Sequence, residues 1–155
     1  MLEELSDEDI ESLFKTQSIG HLGCNSNGRI YVVPTSYYYD KGSIYSFTLE
    51  GTKIRMMREN PDVCFQVEEV MDSDTWHSVI GWGRFEELKD ANEKIEVLTK
   101  LYKRITDLQK RGRHVFIPLE HRENMVIGAM QGKEPIVYKI TLKEISGRKN
   151  RALME

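Results

Sequence analysis

The sequence predicts a mainly β fold in which about six antiparallel strands form a closed or partly closed barrel with accessory helices. Short segments rich in β-branched and aromatic residues follow one another across tight turns, and no βαβ alternation occurs. The length of 155 residues suits one domain, 1–155, with a single core. Small antiparallel barrels often enclose one small ligand, so the fold class already favours a binding protein.

Six strands are predicted, over residues 18–24, 29–39, 43–49, 63–68, 76–86 and 136–145. The first three are joined by turns at 25–28 and 40–42, whose Asn, Asp and Gly residues are typical of hairpin connections. Gly81 and Gly83 interrupt the fifth strand and indicate a bend or a close approach of two backbones.

Three helices accompany these strands. Ser6 is predicted to cap the first helix, and Asp90 the long third helix. Thr52 is predicted to cap a short second helix, which ends at Asn60–Pro61. Residues 111–134 show no clear pattern. The apolar stripe predicted for the long helix consists of Ile95, Leu98, Leu101, Tyr102, Ile105 and Leu108.

Composition excludes several functions. A net charge of -3 gives no electrostatic case for nucleic acid as a partner, and no apolar run is long enough to cross a membrane. The acidic first residues do not resemble a secretion signal, which predicts a cytoplasmic protein. Cys24 and Cys64 stand alone, as reduced buried thiols do, and the four histidines lack the spacing of metal ligands, so no metal site is expected.

One segment places small hydroxyls and a cation close together. Thr35 and Ser36 lie on one predicted strand and Thr48 on another, and Gly51-Thr52-Lys53 follows at a helix start. Helix N-termini present free N–H groups to anions, and a lysine adds a point charge. From the residues alone, two interpretations remain: a phosphate cradle, or a Thr-capped helix with a solvated lysine.

An ordered set of motifs resembles the FMN-binding split-barrel family related to pyridoxamine 5'-phosphate oxidase. These motifs are Gly20-His-Leu-Gly23, Tyr31-Val-Val-Pro34, Ser36-Tyr37, Ile44-Tyr45, Gly51-x-Lys53, Asn60-Pro61-x-Val-Cys-Phe65, Trp76-x-Ser-Val79 and Gly83-Arg84. Within the family the chain is most similar to the nitroimidazole-resistance (Nim-like) branch. The resemblance implies a six-stranded antiparallel split β-barrel that binds FMN.

The resemblance also implies roles for individual residues. The segment Val33–Ser36 would lie along the isoalloxazine ring, partly through backbone groups, and Phe47 with Thr48 would flank the ring and the ribityl chain. Thr52 and Lys53 would hold the phosphate. The implied cofactor contacts are Val33, Pro34, Thr35, Ser36, Phe47, Thr48, Thr52, Lys53 and Ser78.

The implied function is an FMN-dependent oxidoreductase that passes electrons from a nicotinamide donor to a small organic acceptor. A homodimer with the flavin at the subunit interface is implied as well. Phe47 stands where Nim-like members often carry a histidine, and the C-terminus lacks the Trp-, Arg- and Pro-rich motif of the true oxidase. Two alternatives remain: a non-catalytic flavin-binding or storage module, and the same barrel holding haem or a deazaflavin.

Overall fold

A computed structural model describes residues 1–115 and 135–152, and eight strands and three helices lie within those ranges. The strands are β1 (Leu2–Glu4), β2 (Ile19–Ser26), β3 (Arg29–Ser36), β4 (Tyr38–Asp40), β5 (Ser43–Thr48), β6 (Asp62–Val70), β7 (Trp76–Glu87) and β8 (Ile136–Asn150). The helices are α1 (Asp7–Thr16), α2 (Thr52–Glu59) and α3 (Ala91–Lys110).

All strands join one antiparallel sheet in the order β3-β2-β6-β7-β8-β5-β4, with β1 paired to β8. The sheet curls, because β3 and β4 lie at opposite ends of this order and Tyr37 alone connects them along the chain. Beside this connection, the Ser46 hydroxyl on β5 donates a 2.8 Å hydrogen bond to the Ser36 carbonyl oxygen at the end of β3. The curled sheet is a half-barrel, which confirms the predicted fold class.

The strand count rises from six to eight for two reasons. The predicted strand 29–39 is interrupted at Tyr37, whose buried hydroxyl donates to the Phe14 carbonyl oxygen at 2.6 Å, so that β3 ends and β4 begins. The second addition is β1, which pairs with the end of β8. The last strand therefore runs to Asn150, beyond the predicted end at residue 145, because β1 and β7 both supply hydrogen-bond partners there.

The two predicted hairpin turns have the backbone that their residues favour. Asn27 and Gly28 have φ of 52° and 76°, and Lys41 and Gly42 have φ of 47° and 79°. Two successive residues with positive φ form the tight turn that matches the twist of paired strands. These turns set the β2–β3 and β4–β5 registers, which pair Ser26 with Arg29 and Asp40 with Ser43.

Two apolar cores lie on opposite sides of the sheet. The first fills the half-barrel beneath α1 and α2, and the predicted alternation on β6 is confirmed because Val63, Phe65 and Val67 all point into it. The second lies between α3 and the outside of β5 and β8. On α3 the buried stripe is Val97, Leu101, Ile105 and Leu108, while the predicted Ile95 and Tyr102 are exposed.

The outer face of β3, β2, β6 and β7 carries no comparable cover within the described residues. Ile30 is 76% exposed, Val32 61% and Trp82 41%. A shallow groove of about 510 Å³ runs between these side chains and Cys64. We call this surface the bare face. Large exposed apolar patches on soluble proteins usually mark contact surfaces.

The expected close backbone approach occurs at Gly83. The β7–β8 pairing shifts between Trp82 and Gly83, and a Cβ at Gly83 would overlap the Thr141 carbonyl oxygen and approach the Leu142 Cα at 3.0 Å. The neighbouring atoms are backbone, so no side-chain rotation can relieve the overlap.

Gly83→Ala should therefore lower the free energy of unfolding by about 1–3 kcal/mol, the usual cost of overpacking a filled interior. Gly51→Ala is the control, because its Cβ would find no atom closer than Leu49 O at 3.9 Å. Urea denaturation of both variants measures the difference. Equal unfolding free energies for the two variants would show that the bulge tolerates a side chain.

Candidate functional site

The start of α2 lacks a side-chain cap. Gly51, and not Thr52, is the N-cap, and no side chain accepts a hydrogen bond from the first turn, so the predicted Thr52 cap is wrong. Thr52 is instead the first helical residue and is exposed. Glycine has no side chain to occupy the helix start, which leaves the first N–H groups pointing at a position that an anion can fill.

Lys53 adds a positive charge at the same place. Its side chain is half-buried and makes no ion pair with any described residue. Burial lowers the pKa of its ammonium group, an effect that the nearby Cys24 thiol partly offsets. Removing an ammonium group from water without a counter-charge is unfavourable, so an anionic ligand would relieve this cost.

The two arginines of α2 differ in whether they are available to bind an anionic ligand. Arg58 is bound to carboxylates on two sides: it contacts Glu87 at 3.0 and 3.1 Å and Glu50 at 2.8 and 3.0 Å. These contacts raise the pKa of Arg58 and tie α2 both to β7 and to the residue just before Gly51. Arg55 is exposed, and its guanidinium donates to the Thr52 hydroxyl at 3.4 Å. Arg55 is therefore a second cation beside the helix start, which its position three residues after Thr52 could have indicated.

The segment Val33–Ser36 divides between the two faces of β3. Val33 packs against the first core, and Thr35 points the same way and is 4% exposed, while Pro34 alternates to the outer face. Because β3 lies at the end of the strand order, one of its edges pairs with no described strand. That edge offers backbone N–H and C=O groups to a planar ligand.

Behind this segment lies a group of buried hydroxyls. Burial raises the pKa of Tyr138 to about 12, and the Ser46 and Thr35 hydroxyls partly offset that rise. The hydroxyl oxygens of Thr35 and Tyr138 are both buried, and neither has a hydrogen-bond partner within the described residues. Thr35 thus supports β3 from inside the barrel, and its side chain does not face the outside.

Phe47 and Thr48 point to opposite faces of β5. Phe47 belongs to the second core and lies 6.0 Å from the Tyr102 ring between centroids. Thr48 is 6% exposed and ends β5, four residues before α2 begins. The structure thus brings the end of β5 and the start of α2 together, and the Ser46–Ser36 bond adds the end of β3.

Ser78 lies on the outer face of β7, away from this group. Three strand spacings separate β7 from β3, or roughly 14 Å at the usual distance between strands. The Gln66 amide donates to the Ser78 hydroxyl at 3.0 Å and to the Glu68 carboxylate at 3.1 Å. Sequence reasoning missed Gln66, because only the register between β6 and β7 brings it beside Ser78.

Two absences among the described residues bear on other classes of site. No helix among them is both long and apolar enough to cross a membrane. No group of three or more His, Cys, Asp or Glu side chains in residues 1–115 and 135–152 has metal-binding geometry. The interval 116–134, which includes Arg122 and most of the sequence that showed no clear pattern, lies outside the described residues.

The sequence profile of the pyridoxamine 5'-phosphate oxidase family matches residues 6–149, so the chain belongs to that family. An uncharacterised protein of Rhizobium meliloti is 32% identical over 84 residues, which are 54% of this chain. That match spans 56% of the relative's length.

Solved structures show the same fold. A protein of Mesorhizobium loti described as FAD-binding is 28% identical, with a TM-score of 0.75 over 97% of this chain and 99% of its own. A protein of Bacteroides thetaiotaomicron, provisionally described as a 5-nitroimidazole antibiotic resistance protein, is 21% identical. It has a TM-score of 0.71 over 96% of this chain and 87% of its own. The predicted family resemblance is confirmed, and the neighbours include flavin-binding proteins.

The hydrogen bond that joins β3 to β5 can be tested directly. Ser46→Ala should lower the free energy of unfolding by about 0.5–1.5 kcal/mol, because it removes a buried hydrogen bond and leaves the Ser36 carbonyl oxygen without that donor. Ser43→Ala is the matched control, since Ser43 is also buried on β5 but makes no side-chain hydrogen bond to a described residue. If Ser43→Ala destabilises the protein as much as Ser46→Ala does, the bond does not stabilise the β3–β5 junction.

Proposed function

We propose that the chain is an FMN-binding oxidoreductase whose cofactor phosphate binds at the start of α2. One observation carries this proposal: Lys53 is half-buried without an ion pair to any described residue, beside a helix start that has no side-chain cap. A phosphate group would bind both the helix start and Lys53, since it accepts hydrogen bonds from helix N–H groups and neutralises the charge of the lysine. Thr52 and Arg55 are close enough to add polar contacts.

The flavin ring would then extend from α2 towards β3. The free edge of β3 offers backbone donors and acceptors along Val33–Ser36, which suits the alternating donors and acceptors of the pyrimidine part of the ring. Along the chain, Thr48 lies between β3 and the start of α2, and the ribityl hydroxyls would pass beside it. Bound FMN would accept and release the electrons, and the residues named here would bind it, orient it and exclude water.

FMN and FAD share this part of the molecule, and the Mesorhizobium loti neighbour is described as FAD-binding. We favour FMN because one phosphate fills the α2 position. FAD is the second candidate, and its adenylate would have to extend past Thr52 into solvent. Chromatography of the flavin released from purified protein by acid separates the two.

The proposed reaction uses a nicotinamide donor and a small organic acceptor in the cytoplasm. Oxidation of NADH or NADPH that a quinone or nitroaromatic stimulates would support this activity. Bound flavin that no donor reduces would instead support a storage module.

We also propose a homodimer that uses the bare face. Ile30, Val32 and Trp82 expose apolar surface that a second copy would cover. A dimer also explains how Ser78, roughly 14 Å from β3 by strand spacing, could contact a flavin: it would reach the ring held by the partner.

The phosphate position is tested with Lys53→Ala. This variant should bind FMN more weakly by about 1.5–3 kcal/mol, the range for hydrogen bonds to charged groups. Lys103→Ala removes the same charge from an exposed position on α3 and should leave the affinity unchanged. Quenching of flavin fluorescence during titration measures both dissociation constants. Equal affinities for the two variants would place the phosphate elsewhere.

The affinity should also depend on pH through Lys53. Phosphate binding requires the charged ammonium group, so affinity is full below the pKa of free Lys53 and falls as the pH rises through that pKa. Because burial lowers this pKa, the fall should begin at a lower pH than for an ordinary lysine. The same titration of Lys53→Ala should lack this decline while retaining any ionisation of the flavin itself. Parallel pH curves for the two proteins would contradict the proposal.

The dimer is tested by placing a charge on the bare face. Val32→Asp should convert the dimer to a monomer, because an unpaired carboxylate in a covered apolar surface is strongly unfavourable. Ile95→Asp is the control, since Ile95 is 62% exposed on α3, outside the bare face, and should leave the dimer intact. Light scattering during gel filtration reports the mass. A monomeric wild type, or a dimeric Val32→Asp, would reject this interface.

A further inference from the structure

His21 lies beside the strand that we propose for the flavin ring. It is in register with Pro34 of β3 on one side and with Gln66 of β6 on the other. Directly opposed residues of antiparallel strands point to the same face, with Cβ atoms about 5 Å apart. His21 therefore shares the outer face with Pro34 and is its immediate neighbour.

The imidazole of His21 makes no hydrogen bond to any described residue. It is half-buried, so one side of the ring is already shielded from solvent. The adjacent Gln66 amide cannot serve it as a donor, because that amide donates to Ser78 and Glu68. A half-buried imidazole without a partner is suited to accept or donate a hydrogen bond to a ligand.

Few charged groups compete for this imidazole. On the outer face of β3 its neighbours are Val32, Pro34 and Ser36, none of which titrates. On β6 the diagonal neighbours are Cys64 and Glu68, and the Glu68 carboxylate already accepts from Gln66. On β2 itself, Ile19 and Gly23 share the face. His21 is thus the one imidazole in this set of neighbours.

We propose that His21 is a hydrogen-bonding contact of the flavin ring, and that its protonation is reported by the bound flavin. This inference rests on the proposed function, and it places the ring over the outer face of β3 beside Pro34, with the polar edge of the ring at the free edge of that strand. Flavin carbonyl oxygens accept from an imidazolium, and the unprotonated ring nitrogen of neutral imidazole accepts from a flavin N–H. Loss of the proton therefore changes the field at the ring and with it the visible absorbance.

The first measurement is the absorbance of bound FMN against pH, without turnover. Wild-type protein should show a step in this absorbance, because imidazolium and neutral imidazole offer the flavin different hydrogen-bonding groups. His21→Gln should lose this step while still offering an amide hydrogen bond. His77→Gln is the control, because His77 lies on β7 in register with Glu69 and Lys149, and it should keep the step.

The second measurement is FMN affinity at pH 7. His21→Phe fills a similar volume without a polar atom and should bind FMN about fivefold more weakly, as expected for one lost hydrogen bond. His21→Gln should stay within about twofold of wild type. The pH step depends only on wild type and His21→Gln, so it decides the matter even if His21→Phe folds poorly.

The outcomes separate the two proposals. Wild-type protein that binds no FMN would overturn the proposed function and this inference together. Wild-type protein that binds FMN without a pH step, or a step that persists in His21→Gln, would overturn the role of His21 alone. Unchanged affinity in a folded His21→Phe would do the same.

Discussion

The site depends on the closure of the sheet between β3 and β5. These strands lie near opposite ends of the strand order, yet β3 continues through Tyr37 into β4, which pairs with β5. The Ser46 hydroxyl adds a hydrogen bond to the Ser36 carbonyl oxygen at this junction. β3 keeps one edge that pairs with no described strand, and closure brings the end of β5, and therefore the start of α2, to the same side of the barrel. A flat sheet of the same strands would leave Lys53 and the Val33–Ser36 segment far apart.

The second constraint is electrostatic and acts through α2. Arg58 is paired on both sides with Glu50 and Glu87, and these contacts hold the helix against β7 while fixing the residue before Gly51. Lys53, about one and a half turns away, is half-buried and has no such partner in residues 1–115 and 135–152. The two cations of α2 therefore differ in role: Arg58 binds carboxylates of the protein, and Lys53 is available to bind an anionic ligand. Because Arg58 and its partners are partly exposed, we assign them a positioning role and not a large share of the stability.

Much of the fold could be predicted because local signals agree with the tertiary structure. Asn27-Gly28 and Lys41-Gly42 form hairpins wherever they occur between strands, and the alternation at Val63, Phe65 and Val67 follows from one buried face. The break at Tyr37 could not be predicted, since it follows from a hydrogen bond to Phe14, far away in sequence. β1 was missed for the same reason, because three residues form a strand only when β8 is present to pair with them.

The candidate site was predicted only in part. Lys53 and Thr52 could be found because a helix start followed by a cation is a local pattern. Which of Val33, Pro34 and Thr35 faces the outside depends on the strand register, and the distance between Ser78 and β3 depends on the strand order. Gln66 and His21 gave no signal of their own, since only the pairing of β2 with β6 brings them together.

The central claim is that the start of α2 recognises a phosphate. The most direct measurement compares the dissociation constants of FMN and riboflavin, which differ only in that group, on the wild-type protein at neutral pH. The structure predicts that FMN binds at least about tenfold more tightly, since charge-assisted hydrogen bonds to Lys53 and to the helix N–H groups contribute more than about 1.4 kcal/mol. Equal affinities for the two flavins would contradict this account of the site.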